Sequence, residues 1–143
     1  NFMFLQKSID FDRPVNRAYV EKFRSRGEVS GGSVVGDLAG KMALIVDDLI
    51  SSGGTLARAA RACLEQGATT AYAAATHGVF SSGANETLGD SDLESIVLTN
   101  TIPPMRLDDE LVEERFEIID CAPRLGAAIA RLHTGGSIVE LNA

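Results

Sequence analysis

The feature that most constrains this chain is an uninterrupted apolar run at residues 42–46, followed at once by two aspartates. Such a run is typical of a strand that is covered on both faces in a parallel sheet. We predict that the strand stops at Asp47 and Asp48, where a Ser-Ser-Gly-Gly turn leads into a segment with apolar positions at helical spacing. A strand, a polar loop and a helix in this order predict one unit of a parallel α/β sheet.

The other apolar segments continue this alternation, and together they predict a doubly wound α/β domain with a mainly parallel sheet. A Ser, Gly and charge-rich stretch upstream is typical of a mobile loop. The predicted elements are, in chain order, a strand at 17–23, a mobile loop at 25–32, the strand at 42–46, a helix capped by Thr55, a strand at 70–76, a helix at 83–88, a strand at 96–99, a helix at 107–114, a strand at 116–119 and a helix at 123–132.

Composition narrows the class of protein. The 143 residues are enough for one domain, and no repeat or linker divides them. A net charge of −7 argues against nonspecific nucleic-acid binding, because it leaves no diffuse positive field. No apolar stretch approaches the roughly 20 residues that cross a bilayer, so no membrane contact is expected. Cys63 and Cys121 lie outside any metal-ligand spacing, and we expect a soluble protein of the reducing cytoplasm.

The loop at residues 47–55 carries groups that suit a phosphorylated sugar. Its glycines let backbone N–H groups approach an anion, its hydroxyls add donors, and the following helix directs its positive end at the same point. The two acids can accept hydrogen bonds from ribose hydroxyls, or hold Mg²⁺ directly or through water. The predicted ribose-phosphate-binding residues are Asp47, Asp48, Ser51, Ser52, Gly53, Gly54 and Thr55, with Asp47 and Asp48 as the Mg²⁺ ligands.

Residues 46–55, VDDLISSGGT, resemble the fingerprint of type I phosphoribosyltransferase folds. Segments at 73–81, 99–103 and 122–133 are similar to ribose-phosphate diphosphokinases, the family that makes phosphoribosyl diphosphate. The resemblance covers only that family's carboxyl-terminal half, and residues 1–19 match it poorly. It implies a single domain of the phosphoribosyltransferase type that is truncated at its amino-terminal side.

The resemblance also implies an activity. Family members transfer diphosphate from Mg-ATP to ribose 5-phosphate in nucleotide biosynthesis, and by analogy they self-associate, so a homo-oligomer is expected here. Lys22 and Arg24 are similar to the family's catalytic Lys-x-Arg, whose cations stabilise the charge that develops during transfer. The absent half contributes much of the ATP site, so we expect weak sugar-phosphate binding and little synthesis from this chain alone.

Several alternatives stay open. A phosphoribosyltransferase of nucleotide salvage or biosynthesis would use the same loop, and a noncatalytic regulatory subunit of a synthetase complex would retain the fold. Ser51 stands where many relatives have an acid, which we expect to affect rate more than binding. His77 follows a strand and could contact substrate or a subunit, but we predict neither it nor His133 to be a general base.

Overall fold

A computed structural model of the protein describes residues 19–25 and 28–142. This part of the chain contains a two-stranded antiparallel hairpin, a four-stranded parallel sheet and four α-helices. The elements are β1 (Tyr19–Ser25), β2 (Glu28–Val35), β3 (Met42–Ile50), α1 (Gly54–Glu65), β4 (Thr70–Gly78), α2 (Ala84–Gly89), β5 (Ser95–Thr99), α3 (Asp109–Arg115), β6 (Phe116–Ile119), α4 (Ala122–His133) and a 3₁₀ turn (Val139–Asn142).

The parallel sheet has the strand order β3-β4-β5-β6, which follows the chain. Each connection between neighbouring strands contains one helix, and right-handed crossovers in one direction put α1, α2 and α3 on the same face. In agreement with this, α1 contacts α2 and α2 contacts α3. The predicted α/β class with a mainly parallel sheet is confirmed.

The core lies between the sheet and these three helices. Leu56, Ala60 and Cys63 are buried on one side of α1, as their helical spacing predicts. The facing strand β4 contributes small side chains, Ala71 and Ala73 among them, so the helices can approach the sheet closely. Burial of each large apolar side chain contributes about 1.5–3 kcal/mol to folding.

The remaining helix, α4, carries an exposed apolar side. Leu125, Ile129 and Leu132 share that side, as the sequence predicts, and they are 55%, 67% and 61% exposed. Met42 and Val46 of β3 are also largely exposed, so the expectation that this strand is covered on both faces was wrong for the described residues. No helix in the described part of the chain is long and apolar enough to cross a membrane.

Several predicted boundaries differ from the structure by one or two residues, and two were wrong by more. Strand β3 does not stop at the aspartates but continues to Ile50, which is buried and whose carbonyl accepts hydrogen bonds from the N–H groups of Val79 and Phe80. Residues 28–32, predicted as a mobile loop, form the first part of β2. The register between β1 and β2 shifts beside two glycines of β2, and glycine suits such an irregularity because it tolerates unusual backbone angles.

The buried thiol of Cys63 gives a first testable consequence. Burial raises the pKa of this thiol, and the thiolate is the reactive form. We expect folded Cys121→Ser protein, in which Cys63 is the only thiol, to react with iodoacetamide about tenfold or more slower than the denatured protein. Serine keeps the hydrogen bond that Cys121 Sγ donates to Asn100. Timed quenching and mass spectrometry measure the rates, and equal rates would contradict the burial.

Candidate functional site

The two aspartates lie in the second half of β3, towards the carboxyl edge of the parallel sheet. Asp47 is half-buried and Asp48 is exposed, and Asp47 Oδ1 accepts a hydrogen bond of 3.0 Å from the Asp48 backbone N–H. In open α/β sheets, ligands bind beyond the carboxyl ends of the strands. The acids therefore lie where such a ligand would be held.

The start of α1 presents unpaired N–H groups. Gly53, with φ of +80°, is the residue before the helix, and its carbonyl accepts the first helical hydrogen bond from Ala57 at 3.0 Å. Within residues 28–142, the amides of Gly53, Thr55 and Leu56 have no acceptor. The Gly54 amide has only Ser52 Oγ, at 3.4 Å. Unpaired amides at the positive end of a helix are suited to an anion.

The predicted role of Thr55 as the helix cap was wrong. The helix begins at Gly54, so Thr55 lies inside the first turn, and the cap position is occupied by Gly53, which has no side chain to make a capping bond. A left-handed glycine at position 53 reverses the chain without help from a side chain. The Thr55 hydroxyl therefore makes no capping bond, and its predicted contact with a phosphate stays a prediction.

Two residues outside the turn at 51–53, Ser81 and Leu88, hold it in place. Ser81 donates its backbone N–H to the Ser51 carbonyl at 3.1 Å, and the hydroxyls of these two serines lie 3.4 Å apart. Gly53 is seated on Leu88 of α2, so closely that a Cβ at position 53 would lie 2.4 Å from Leu88 Cδ2. The backbone of the turn is fixed, while the Ser51 and Ser52 side chains stay exposed.

The segment that holds the turn is itself unusual. Phe80 has φ of +45°, a left-handed conformation that side chains other than glycine seldom adopt. Its ring is buried and meets Phe116 edge-on, with centroids 5.8 Å apart. Arg106, which the sequence did not single out, donates to the Phe80 and Val79 carbonyls at 3.3 and 3.4 Å. These contacts keep the strained residue in place beside Ser81.

His77 is a neighbour of the site on β4, where it is paired with Leu49 of β3. Its Nδ1 lies 2.8 Å from Thr101 Oγ1, and that hydroxyl donates to the Thr76 carbonyl at 3.0 Å. The ring is thus oriented by the end of the next strand. His133 lies exposed at the last position of α4. That neither histidine acts as a general base stays a prediction.

Lys22 and Arg24 lie in β1, as the predicted strand requires. Arg24 is paired with Val29 of β2, while Lys22 falls at the shift in register. Their side chains lie outside the described part of the protein, so their convergence on one polyphosphate stays a prediction. Strand β2 contacts α1, which places the hairpin next to the helix that follows the loop.

Arg58 was not among the predicted site residues, although it borders the start of α1. It is exposed, but its guanidinium lies over the start of its own helix, with Nη1 3.2 Å from the position that a Cβ on Gly54 would occupy. Helical side chains point towards the amino-terminal end, so a long side chain at position 58 can reach the first turn. This rule could have predicted from the sequence that Arg58 reaches the start of α1.

The two aspartates are of the type that binds a Mg²⁺ ion whose remaining ligands are water and substrate oxygens. Within the described ranges, no three acidic, histidine or cysteine side chains cluster as a complete metal site. Mg²⁺ commonly binds one or two carboxylates together with water and substrate phosphates. Asp47 and Asp48 are accessible carboxylates, but neighbouring side chains of a strand point to opposite faces, so their joint binding of one ion stays a prediction.

Comparison with known proteins places this geometry in a family. Residues 19–142 match the family described as the phosphoribosyl synthetase-associated domain. The chain belongs to this family. The domain is 41% identical over 125 residues to a ribose-phosphate pyrophosphokinase of Caldanaerobacter subterraneus, covering 87% of this chain and 39% of the relative. It is 41% identical to ribose-phosphate pyrophosphokinase 2 of Saccharomyces cerevisiae, covering 89% of this chain and 39% of that relative.

Solved structures agree with these sequence matches. The crystal structure of phosphoribosylpyrophosphate synthetase from Mycobacterium smegmatis matches 83% of the domain and 37% of its own chain, with a TM-score of 0.70 and 33% identity. The resemblance to ribose-phosphate diphosphokinases is therefore confirmed. The domain spans about two fifths of the length of the curated relatives it matches.

Proposed function

We propose that the domain binds the 5-phosphate of ribose 5-phosphate and of phosphoribosyl diphosphate at residues 51–55, with Asp47 and Asp48 accepting hydrogen bonds from the ribose hydroxyls. One observation carries the proposal: the amides of Gly53, Thr55 and Leu56 have no acceptor within residues 28–142, at the start of a 12-residue helix. Phosphate groups bind at such helix starts because the N–H groups and the dipole both favour an anion. The adjacent carboxylates provide the acceptors that a sugar needs.

We further propose that the domain is part of an enzyme that transfers diphosphate from ATP to ribose 5-phosphate. The anomeric hydroxyl oxygen forms a bond to the β-phosphorus of ATP, the bond from that phosphorus to the oxygen of the α-phosphate breaks, AMP leaves, and the hydroxyl proton is released. Lys22 and Arg24 stabilise the negative charge that develops on the transferred group. Mg²⁺ bound by Asp47 and Asp48 would neutralise charge on the phosphates.

The setting of the domain is part of the same proposal. The domain works in a reducing cytoplasm, where the thiols of Cys63 and Cys121 stay free, as they are in the structure. We also propose that the domain assembles with further copies of itself, as the resemblance implies. Sedimentation velocity at several concentrations measures this assembly, and a monomer at all concentrations would contradict it.

Calorimetric titration with ribose 5-phosphate, with and without Mg²⁺, tests the binding proposal. We expect binding of ribose 5-phosphate and at least about tenfold weaker binding of ribose, because a hydrogen bond to a charged group such as phosphate contributes about 1.5–3 kcal/mol. Asp48→Asn should weaken binding and reduce its dependence on Mg²⁺. Asp90→Asn, which changes an exposed acid at the end of α2, is the matched control and should bind like the wild type. Equal affinity for ribose and ribose 5-phosphate would contradict the phosphate site.

Assays of diphosphate transfer and of phosphoribosyl transfer separate this proposal from a phosphoribosyltransferase. A salvage or biosynthetic phosphoribosyltransferase would consume phosphoribosyl diphosphate with a base, and a noncatalytic subunit would bind the sugar phosphate without either reaction. We expect little AMP release from ATP and ribose 5-phosphate by this chain alone. Consumption of phosphoribosyl diphosphate with a nucleobase would favour the phosphoribosyltransferase.

A further inference from the structure

Arg58 places a positive charge beside the proposed phosphate site. The point that a Cβ on Gly54 would occupy lies 3.2 Å from Arg58 Nη1 and 3.6 Å from Ser52 Oγ. A guanidinium donor and a hydroxyl donor therefore border the same small space above the first residue of α1. The unpaired amides of Thr55 and Leu56 belong to the same helical turn.

This charge has no partner among the residues of known position. Arg58 makes no ion pair or hydrogen bond there, and the first turn of α1 contains no acidic residue. Arg61 lies one turn further along the same helix and differs in this respect, because its Nη2 and Nε are both 2.9 Å from Asp92 Oδ2. Of these two exposed arginines, only Arg58 has no ion-pair partner among the described residues.

The position of the guanidinium is unfavourable without an anion. The amino-terminal end of a helix carries a partial positive charge, so a cation placed over it is repelled. The repulsion is removed when a phosphate binds between the helix start and the guanidinium. An arginine also binds phosphate through several donors in a planar fork, which a lone amide cannot do.

We infer that Arg58 is a further phosphate-binding residue of this site. The inference rests on the proposed function, because it concerns the same ligand. Arg58 donates to an oxygen of the phosphate whose other oxygens meet the amides of α1. It is a binding residue and takes no part in bond breaking.

The inference predicts opposite effects on stability and on binding. Without ligand, Arg58→Gln should raise the melting temperature slightly, because the repulsion at the helix start is removed. The same variant should bind ribose 5-phosphate about tenfold more weakly, which corresponds to one lost charged contact. Its affinity should also depend less on salt, because screening acts on the charge that was removed. Arg58→Lys should restore part of the affinity, since it keeps the charge but not the fork.

The matched control is Arg61→Gln, which removes the same charge from the same helix. It should bind ribose 5-phosphate within about twofold of the wild type and should not raise the melting temperature, because Arg61 is paired with Asp92. Amide chemical shifts followed during titration with ribose 5-phosphate give the dissociation constants and show that each variant is folded.

The outcomes separate the two proposals. Weaker binding by Arg58→Gln alone supports the inference. If the wild type binds ribose 5-phosphate and Arg58→Gln binds it equally well, the inference is wrong and the proposed function stands. An equal loss in Arg61→Gln also overturns it, because the effect would then be one of general charge. Absence of any ribose 5-phosphate binding by the wild type overturns the proposed function and this inference with it.

Discussion

Replacing Gly53 by alanine is expected to abolish sugar-phosphate binding and to lower the free energy of unfolding by about 2–5 kcal/mol, the sum of a strained backbone and an overpacked contact. The backbone at position 53 has φ of +80°, and the new Cβ would lie 2.4 Å from Leu88 Cδ2. The turn must therefore move away from α2. Because the Gly53 amide is one of the unpaired donors, that movement removes the phosphate site.

Gly83→Ala is the control that separates the two causes. Gly83 has φ of +83°, but a Cβ there meets nothing within 4 Å. The free energy of unfolding of this variant should therefore fall only by the strain of the left-handed backbone, about 1 kcal/mol or slightly more. Urea denaturation measures both variants. Equal losses would mean that the contact between Gly53 and Leu88 does not hold the turn.

Replacing Phe80 by alanine has the second large expected effect, a loss of about 3–5 kcal/mol in the free energy of unfolding. The ring is 1% exposed and packs edge-on against Phe116. Its removal leaves a cavity beside Gly78, where a Cβ would lie 2.4 Å from Phe80 Cε2. Binding of ribose 5-phosphate should weaken as well, because the next residue, Ser81, holds the turn through the Ser51 carbonyl.

A glycine at the same position tests the strain at Phe80. At ordinary positions, glycine is less stable than alanine by about 0.5–1 kcal/mol. At φ of +45°, alanine is strained and glycine is not, so Phe80→Gly should be at least as stable as Phe80→Ala. Urea denaturation of the two variants measures the difference. A clearly less stable glycine variant would show that residue 80 is not left-handed in solution.

The parallel sheet could be predicted because its strands are marked by their own composition. Residues 42–46 and 71–75 are continuous apolar runs, and such runs are typical of parallel strands. The coverage of both faces that such a run also predicts was wrong for β3, where Met42 and Val46 are exposed. The end of β3 could not be predicted in this way. Two aspartates interrupt the run, and only the neighbouring strand β4 and the burial of Ile50 extend pairing beyond them.

The loop was predictable in its chemistry and less so in its geometry. Its glycines, hydroxyls and acids are adjacent in the sequence, so their common location needed no tertiary information. Which residue begins the helix depends on a backbone angle at Gly53, which Leu88, more than thirty residues later, helps to fix. The position of Arg58 depends on side-chain direction along the helix and on the absence of a nearby acid in the described residues.

The most direct test is a crystal structure of the protein grown with saturating ribose 5-phosphate and Mg²⁺. We predict that the 5-phosphate lies within hydrogen-bond distance of the Gly53, Thr55 and Leu56 amides, with the ribose hydroxyls on Asp47 and Asp48. A bound sugar phosphate elsewhere, or an empty site at the start of α1, would contradict the account.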